Sequence, residues 1–411
     1  MNKKLFFLIN IIAVLFVPIF AEIADPHRYV EFGVEGGFGV SNNYFAASEL
    51  LVKDVVIDLN KIANEISDEG LILDFDVKSS WHFSIDKSSK FRLKFFMGIE
   101  GNGLGNISQD FFKLIGSGIS ENTFKKIDVK LYGDIFAHAG VSYKTEIKGY
   151  GVRFTPTFFA PIFHVADTKA TVYYRASDTG LIKAEANLPV NIYSLFSLEG
   201  LNANSVDSAF VQDALGKAVR AVGFDFEGAV EKKLTETFDI ALFSRLPLVP
   251  GRLKYKTTKR YWGYFEQNNL LGYLNGTQSG SKDYGSDEMV YGSAYKLVHR
   301  PFILGVEGAW RPFGDWCVFR PKLNLAVRNP WSSEAQIYGE YNFSANFSLF
   351  KVIGLNFATA YENFVFKQTM GIMLNARVVE IDAYFQLRGG DFAKSFSTTG
   401  GATYIALKVG Y

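Results

Sequence analysis

The residues able to do chemistry are few and scattered. The chain holds five histidines, His27, His82, His138, His164 and His299, and none stands in the H-E-x-x-H spacing that lets a helix grip zinc. The single cysteine, Cys317, has no second thiol to form an internal disulfide. No G-x-S-x-G nucleophile turn occurs. The run GNGLGN places glycines at 101, 103 and 105, but Asn106 stands where the last glycine of a dinucleotide fingerprint belongs. It reads as a glycine-rich turn. The tripeptide NGT at Asn275 is expected by chance in a chain of 411 residues. A net charge of +1 offers no field to recruit nucleic acid. No catalytic, cofactor or metal site is expected, a Ser–His pair being the enzyme alternative.

Any function must then lie in what the elements build. The last residues, ATYIALKVGY, alternate strictly. Thr403, Ile405, Leu407, Val409 and Tyr411 take one face of a strand, and Ala402, Tyr404, Ala406, Lys408 and Gly410 take the other. The same alternation runs through Val30, Phe32, Val34, Phe38 and Val40 against Glu31, Gly33, Glu35, Gly37 and Gly39. It recurs with Leu71, Leu73, Phe75, Val77, Trp81, Phe83 and Ile85 against Asp74, Asp76, Lys78 and His82. FRLKFFMGI, PFILGVEGAWR and VVEIDAYFQLR repeat it. Many segments hold phase for ten residues or more, against about 5–6 for a soluble strand and about 9–11 for a strand that crosses a bilayer. Aromatics make up 16% of the chain, with 39 Phe and 21 Tyr, and Pro is scarce.

The N-terminus, MNKKLFFLINIIAVLFVPIFAE, has Lys3 and Lys4, an apolar run from Leu5 to Phe20, and Ala21. That is the layout of a secretory signal peptide over residues 1–21, cut after Ala21, with an uncleaved anchor as the alternative. No cysteine near the cut suggests a lipoprotein. No later stretch reaches the roughly 18–20 apolar residues of a helical span. No linker interrupts residues 22–411, so one domain is expected.

Long and short connections alternate, as in bacterial barrels with short inner turns and long outer loops. KSSK, KGYG, KLTET, FGDW and SLFKV are short, while segments 41–70, 101–126, 189–220, 248–299 and 389–397 are long. The expectation is an all-β, transmembrane antiparallel β-barrel of about 14 strands, within a range of 12–16. The count rises to 16 if the hairpin ATVYYRAS…GLIKAEAN belongs to the wall. Three outward inserts change to helical period, near 46–69, 106–118 and 190–220. Their stripes are Leu51, Val55, Leu59, Ile62 and Ile66, then Ile107, Phe111, Leu114 and Ile115, then Val211, Leu215 and Val219 beside Phe210 and Ala214. Gly70 suits the end of the first, and Asn106 with Gln109 suits a cap on the second. Such stripes must be buried, either on the rim or as an apolar ligand site at the mouth. Leu51, Val55, Leu59, Ile62, Phe111 and Phe112 are the candidate ligand-facing residues. Inward positions carry acids and bases in mixed numbers, which argues against a wide, ion-selective pore.

The closing strand resembles the signal read by the outer-membrane barrel-assembly machinery, with Ile405, Leu407, Val409 and Tyr411 as the recognised residues. The opening EFGVEGGFGVSNNYF, LPLVPGRLKYKT, HRPFILGVEGAWRPFGDW and that closing strand resemble the outer-membrane β-barrel proteins of spirochaetes, treponemes in particular. More distantly, the architecture is similar to fatty-acid-transporter-like barrels of 14 strands with apolar inserts. That likeness implies passage of hydrophobic compounds and transfers no ligand residue. The expected function is an outer-membrane porin or transporter admitting small hydrophobic or amphiphilic nutrients. The alternatives are a surface adhesin or structural barrel, or a soluble secreted β protein. The expected partners are outer-membrane lipids, the assembly machinery and a hydrophobic small molecule, with no nucleic acid.

Overall fold

A computed structural model describes residues 28–45, 59–66, 70–88, 91–117, 124–176, 181–201, 208–267, 281–332, 335–362, 364–397 and 400–411. The signal peptide expected at 1–21, with Leu51 and Val55, lies outside them. Eighteen strand segments form one antiparallel sheet. They are β1 (Val30–Asn42), β2 (Leu71–Ser88), β3 (Phe91–Ile107), β4 (Phe124–Ile147), β5 (Tyr150–Ala176), β6 (Ile182–Ser194), β7 (Gly223–Thr235), β8 (Phe238–Val249), β9 (Gly251–Gln267), β10 (Ser281–Ser286), β11 (Val290–Val298), β12 (Phe302–Trp310), β13 (Cys317–Arg328), β14 (Gln336–Leu349), β15 (Ile353–Glu362), β16 (Val365–Asn375), β17 (Val379–Gly389) and β18 (Gly400–Gly410).

The sheet closes on itself because β1 pairs with β2 on one side and β18 on the other, as in Phe32 opposite both Phe83 and Val409. Closure leaves no edge in the wall. The eighteen segments make fourteen wall strands, because three of those strands are interrupted. β6 and β7 lie end to end against β5, β6 on Phe163–Ala176 and β7 on Gly151–Phe159. β8 continues into β9 across Pro250, and β10, β11 and β12 descend together as their partner. The result is the barrel that the alternation predicts. The hairpin of ATVYYRAS and GLIKAEAN is the far reach of β5 and β6 and adds no wall strand.

The faces follow the sequence pattern. Phe32, Phe38, Phe75, Trp81, Phe95, Met97, Phe158, Leu325, Met370, Phe385 and Leu407 are exposed on the outer surface. Alternate positions, among them Asp74, His82, Asp134, Asn346, Asp382 and Tyr404, are buried on the inner one. Polar groups inside and apolar groups outside reverse the soluble arrangement and match a wall bathed in lipid.

Short connections at 148–149, 236–237, 350–352 and 376–378 define a turn end, and both described termini lie there, with the backbone of Val30 bonded to Tyr411. Most long inserts leave the opposite end. Two expectations change there. Segment 248–299 is largely strand, because β9 pairs with β6, β10 and β11 beyond the wall. The connection between β15 and β16, Glu362 to Val365, is tight although it lies at the insert end.

Helices α1 (Leu59–Glu65), α2 (Gln109–Ser117) and α3 (Ser208–Arg220) occupy the predicted inserts. The second starts later than expected, since Ile107 still belongs to β3 and Ser108 O accepts from Phe111 N. Gly70 has φ 84°, a left-handed turn that a side chain would strain, and its carbonyl accepts from Asn43 Nδ2 at 2.8 Å. The third helix packs through Phe210, Ala214 and Ala218, leaving Leu215 and Val219 exposed. The expected stripe of Val211, Leu215 and Val219 is therefore turned from the wall, Val211 lying outside the described side chains. Phe210 instead meets Phe196, which meets Phe163 of β5.

Candidate functional site

The inner face of β1 is a row with glycines at 33, 37 and 39. A Cβ at Gly33 would overlap the His82 ring, one at Gly37 the Tyr404 ring, and one at Gly39 the Arg388 guanidinium. The missing side chains leave a channel across β1 through which neighbouring strands reach each other. Arg388 of β17 thereby ion-pairs with Asp74 and Asp76 of β2, at 3.3 Å for Asp74. Tyr404 of β18 donates to Asp76 at 2.9 Å and accepts from Arg388. Lys367 of β16 joins Asp76 at 3.9 Å and Glu362 at 2.8 Å.

Nearer the turn end, Arg28 pairs with Glu31 and Glu380, Lys408 with Glu380 and Asp382, and His82 Nε2 lies 3.0 Å from Glu31. Two layers of charge thus staple the seam where the first and last strands meet. His82 and His138 face the lumen, as their alternation indicated.

A third group spans the lumen itself. Arg300, in the link between β11 and β12, reaches Glu100 of β3 at 2.8 Å and Asp225 of β7 at 2.6 Å. Around the ring β12 stands five wall strands from β3. Arg328 of β13 stacks over Tyr132 of β4, also five strands away, with Cζ 3.9 Å from the ring centre. The Tyr338 ring flanks the same guanidinium at 5.5 Å. Contacts between distant wall strands draw the lumen together at this level. Each unpaired buried charge would cost several kcal/mol, so such groups hold only as sets.

Two apolar clusters adjoin the polar interior. One caps the insert end, with Tyr44, Ile62, Ile66, Leu71 and Phe112 buried and Phe45, Ile107 and Phe111 packed against them. Ile62, Phe111 and Phe112 are therefore brought together, and the T-shaped Phe111–Phe112 pair has ring centres 5.4 Å apart. Leu59 opens α1, while its side chain lies outside the described ones with those of Leu114 and Ile115. Gln109 Nε2 donates to Ile66 O at 3.0 Å and ties α2 to α1. The cluster is filled by its own side chains.

The other cluster fills the break between β6 and β7, with Phe136, Phe159, Leu195, Ala221, Leu253 and Val298. Ile405, Leu407, Val409 and Tyr411 are all exposed on the outer face of β18. At the turn end an outer groove of about 490 Å³ is lined by Phe238, Trp310, Phe319 and Phe343, an aromatic belt of the kind found where a wall meets headgroups.

Among the described residues no group of three metal-ligating side chains converges. Sequence reasoning placed acids and bases inside but could not pair them, since Arg388 and Asp74 are 314 positions apart. The glycines of β1 were the available signal.

No protein-family model matches the sequence, and no curated sequence matches it. Solved structures with a similar fold include the P. putida toluene transporter TodX, at 8% identity over 94% of this chain and 91% of that one, TM-score 0.44. A Pseudomonas aeruginosa FadL homologue matches at 7% identity over 94% and 90%, TM-score 0.43. The translocator domain of the autotransporter NalP from Neisseria meningitidis matches at 6% identity over 94% and 89%, TM-score 0.31. The ring of strand pairings, rather than these superpositions, carries the fold described above.

Proposed function

We propose that this chain is an outer-membrane transport barrel whose resting lumen is closed and which admits small amphiphilic solutes when its transverse contacts rearrange. The observation that carries the reading is the pair of arginines, Arg300 and Arg328, that join opposed parts of a wall whose outer surface is apolar. A structural barrel has no need to close its bore with ionic contacts that cost desolvation. A wide porin would leave the bore open. The solute is amphiphilic rather than wholly apolar, because the inner surface offers ion pairs, amides and tyrosines beside one apolar layer at Phe136, Phe159 and Leu253.

Membrane fractions should retain the mature protein after alkaline washing, and unboiled samples should migrate apart from boiled ones. Vesicles carrying the protein should swell slowly in a small sugar, and faster with Arg328→Ala. A freely soluble product, or equal swelling for both, defeats the reading. A second reading, surface attachment, draws on Tyr284 and Tyr295, 80% and 72% exposed on strands that project beyond the wall. Excising that projection should then remove binding to surfaces and spare permeability.

A further inference from the structure

The sheet that projects beyond the wall carries rings that closure of the barrel does not use. There β5, β6, β9 and β10 pair in that order. Tyr173 of β5 stands opposite Glu185 of β6, Glu185 opposite Tyr264 of β9, and Tyr264 opposite Asp283 of β10. Two positions nearer the wall, Asn187 stands opposite Trp262, and Trp262 opposite Gly285. Two positions farther out, Arg175 stands opposite Lys183, and Lys183 opposite Glu266. Cross-strand partners share a face and so do positions two apart, so these residues form one face. Tyr284, opposite Gly263, belongs to the other.

The rings on this face are held by polar groups around them. A Cβ at Gly285 would lie 3.2 to 3.8 Å from three atoms of the Trp262 ring, so the indole leans across the β10 backbone. Trp262 is half-buried there, and its Nε1 donates to Asp287 Oδ1 at 3.1 Å. Arg260 Nε donates to Asn187 Oδ1 at 3.1 Å, which leaves the Asn187 amide nitrogen to donate elsewhere. Lys183 Nζ lies 2.9 Å from Glu185 and 5.5 Å from the centre of the Tyr264 ring, and the Tyr264 hydroxyl donates to Glu266. The ionic side chains are open to solvent, with Lys183 and Glu185 at 42% and 48% exposure and Arg260 and Asp287 at 52% and 50%. Such exposed pairs add little stability. What they do is fix donors and acceptors around the rings of Tyr173, Trp262 and Tyr264.

We propose that this face binds neutral saccharides, short runs of hexose or N-acetylhexosamine units, with Trp262 as the main platform. A sugar ring presents a patch of C–H groups and a rim of hydroxyls. The negative face of an aromatic ring attracts the first, and Asn187, Glu185 and Asp287 can exchange hydrogen bonds with the second. Trp262 and Tyr264 repeat at about 6.8 Å along β9, so one chain of sugars can meet both. Among the described side chains, Arg175, Lys183 and Arg260 stand against Glu185, Glu266, Asp283 and Asp287. That face has no surplus of positive charge, which a sulfated glycan or a nucleic acid would need. An apolar solute would need an enclosed pocket, and an open sheet offers none. The face stands at the end opposite the described termini, so a glycan can reach it without entering the lumen. The inference goes beyond transport and uses residues other than Tyr284 and Tyr295.

The test uses the full mature chain in lauryldimethylamine oxide, a detergent without a sugar headgroup. Immobilised maltohexaose, cellohexaose, chitohexaose and mannohexaose are the probes, with a heparin hexasaccharide as the anionic control. At least one neutral probe should bind, and its binding should persist in high salt because no ion pair carries it. Trp262→Ala should weaken that binding about tenfold, while Trp262→Phe, which keeps a ring, should retain most of it. Tyr295→Ala should bind as the wild type does, and all three variants should keep heat-modifiable migration, since these side chains stand outside the wall. Failure of every neutral probe, preference for heparin, or equal binding by Trp262→Ala would overturn the proposal. So would a loss with Trp262→Phe or Tyr295→Ala as deep as with Trp262→Ala. If a neutral probe binds yet nothing crosses the vesicle wall, transport fails and the saccharide site stands. If sugar crosses and no probe binds, the saccharide site fails and transport stands.

Discussion

Replacing Arg388 should reveal how much the seam depends on its inner staple. The guanidinium is fully buried, donates to Gln386 Oε1 at 2.7 Å and to Tyr404, and is ion-paired with Asp74 and Asp76. The Asp74 side chain is fully buried as well, while Asp76 keeps 22% exposure and a second cation in Lys367. Arg388→Met would fill a similar volume and leave the buried Asp74 without its ion-pair partner. Removing one partner of a buried pair costs about 3–5 kcal/mol, so a loss of that size is expected. The exposed pair Arg153–Glu227, at 45% and 25% exposure, serves as the control. Its loss should cost at most about 1 kcal/mol.

Equilibrium unfolding in lipid vesicles, followed by tryptophan fluorescence, measures both. Adding Asp74→Asn to Arg388→Met should recover part of the loss, because the stranded charge is then gone. If Arg388→Met falls within about 0.5 kcal/mol of the wild type, or if the second substitution worsens it, the seam is not held as argued.

Three other outcomes follow from the same contacts. Gly39→Leu should destabilise the barrel and lower the yield of the heat-modifiable form, since its Cβ overlaps the Arg388 guanidinium; normal assembly would refute the close approach. Phe112→Ala should cost the insert cap about 3–5 kcal/mol, exposing it to protease while the wall stays resistant; unchanged cleavage would deny the cap a packed core. Charged residues at Val409 and Tyr411 should reduce insertion, because both lie on the exposed outer face of the closing strand; normal insertion would remove them from an assembly signal.

The wall was legible because period-two alternation needs no knowledge of partners. Each strand declares its two faces locally, so the outward Phe75, Trp81 and Phe83 and the inward Asp74 and His82 could be assigned before any pairing was known. The interior pairs were not legible. A carboxylate on the second strand meets a guanidinium on the seventeenth only after the ring closes, and no local pattern encodes that meeting.

The interruption of one wall strand between Ser194 and Gly223 was hidden for a related reason. Residues 195–222 leave and return to the same line on β5, and the two halves are recognisable as one strand only from their shared neighbour. Segment 248–299 read as a loop because its cations and tyrosines lack an apolar face, yet β6, β10 and β11 supply the hydrogen bonds that make β9 a strand. In α3 the helical period was right, but only the expected flank at Phe210 and Ala214 is covered, while Leu215 and Val219 are exposed. Phe210, Ala214 and Ala218 share the period of Leu215 and Val219, and the contact of Phe210 with Phe196 turns their side of the helix inward.

Single-channel recording in planar bilayers tests the central claim most directly, because a lumen closed by ionic crossings differs in current from an open bore. Arg328→Ala removes the stacking over Tyr132 and Tyr338. The account predicts rare, brief openings for the wild type and a steady, larger conductance for Arg328→Ala. A wild type that conducts steadily from insertion, or a variant indistinguishable from it, would contradict the account.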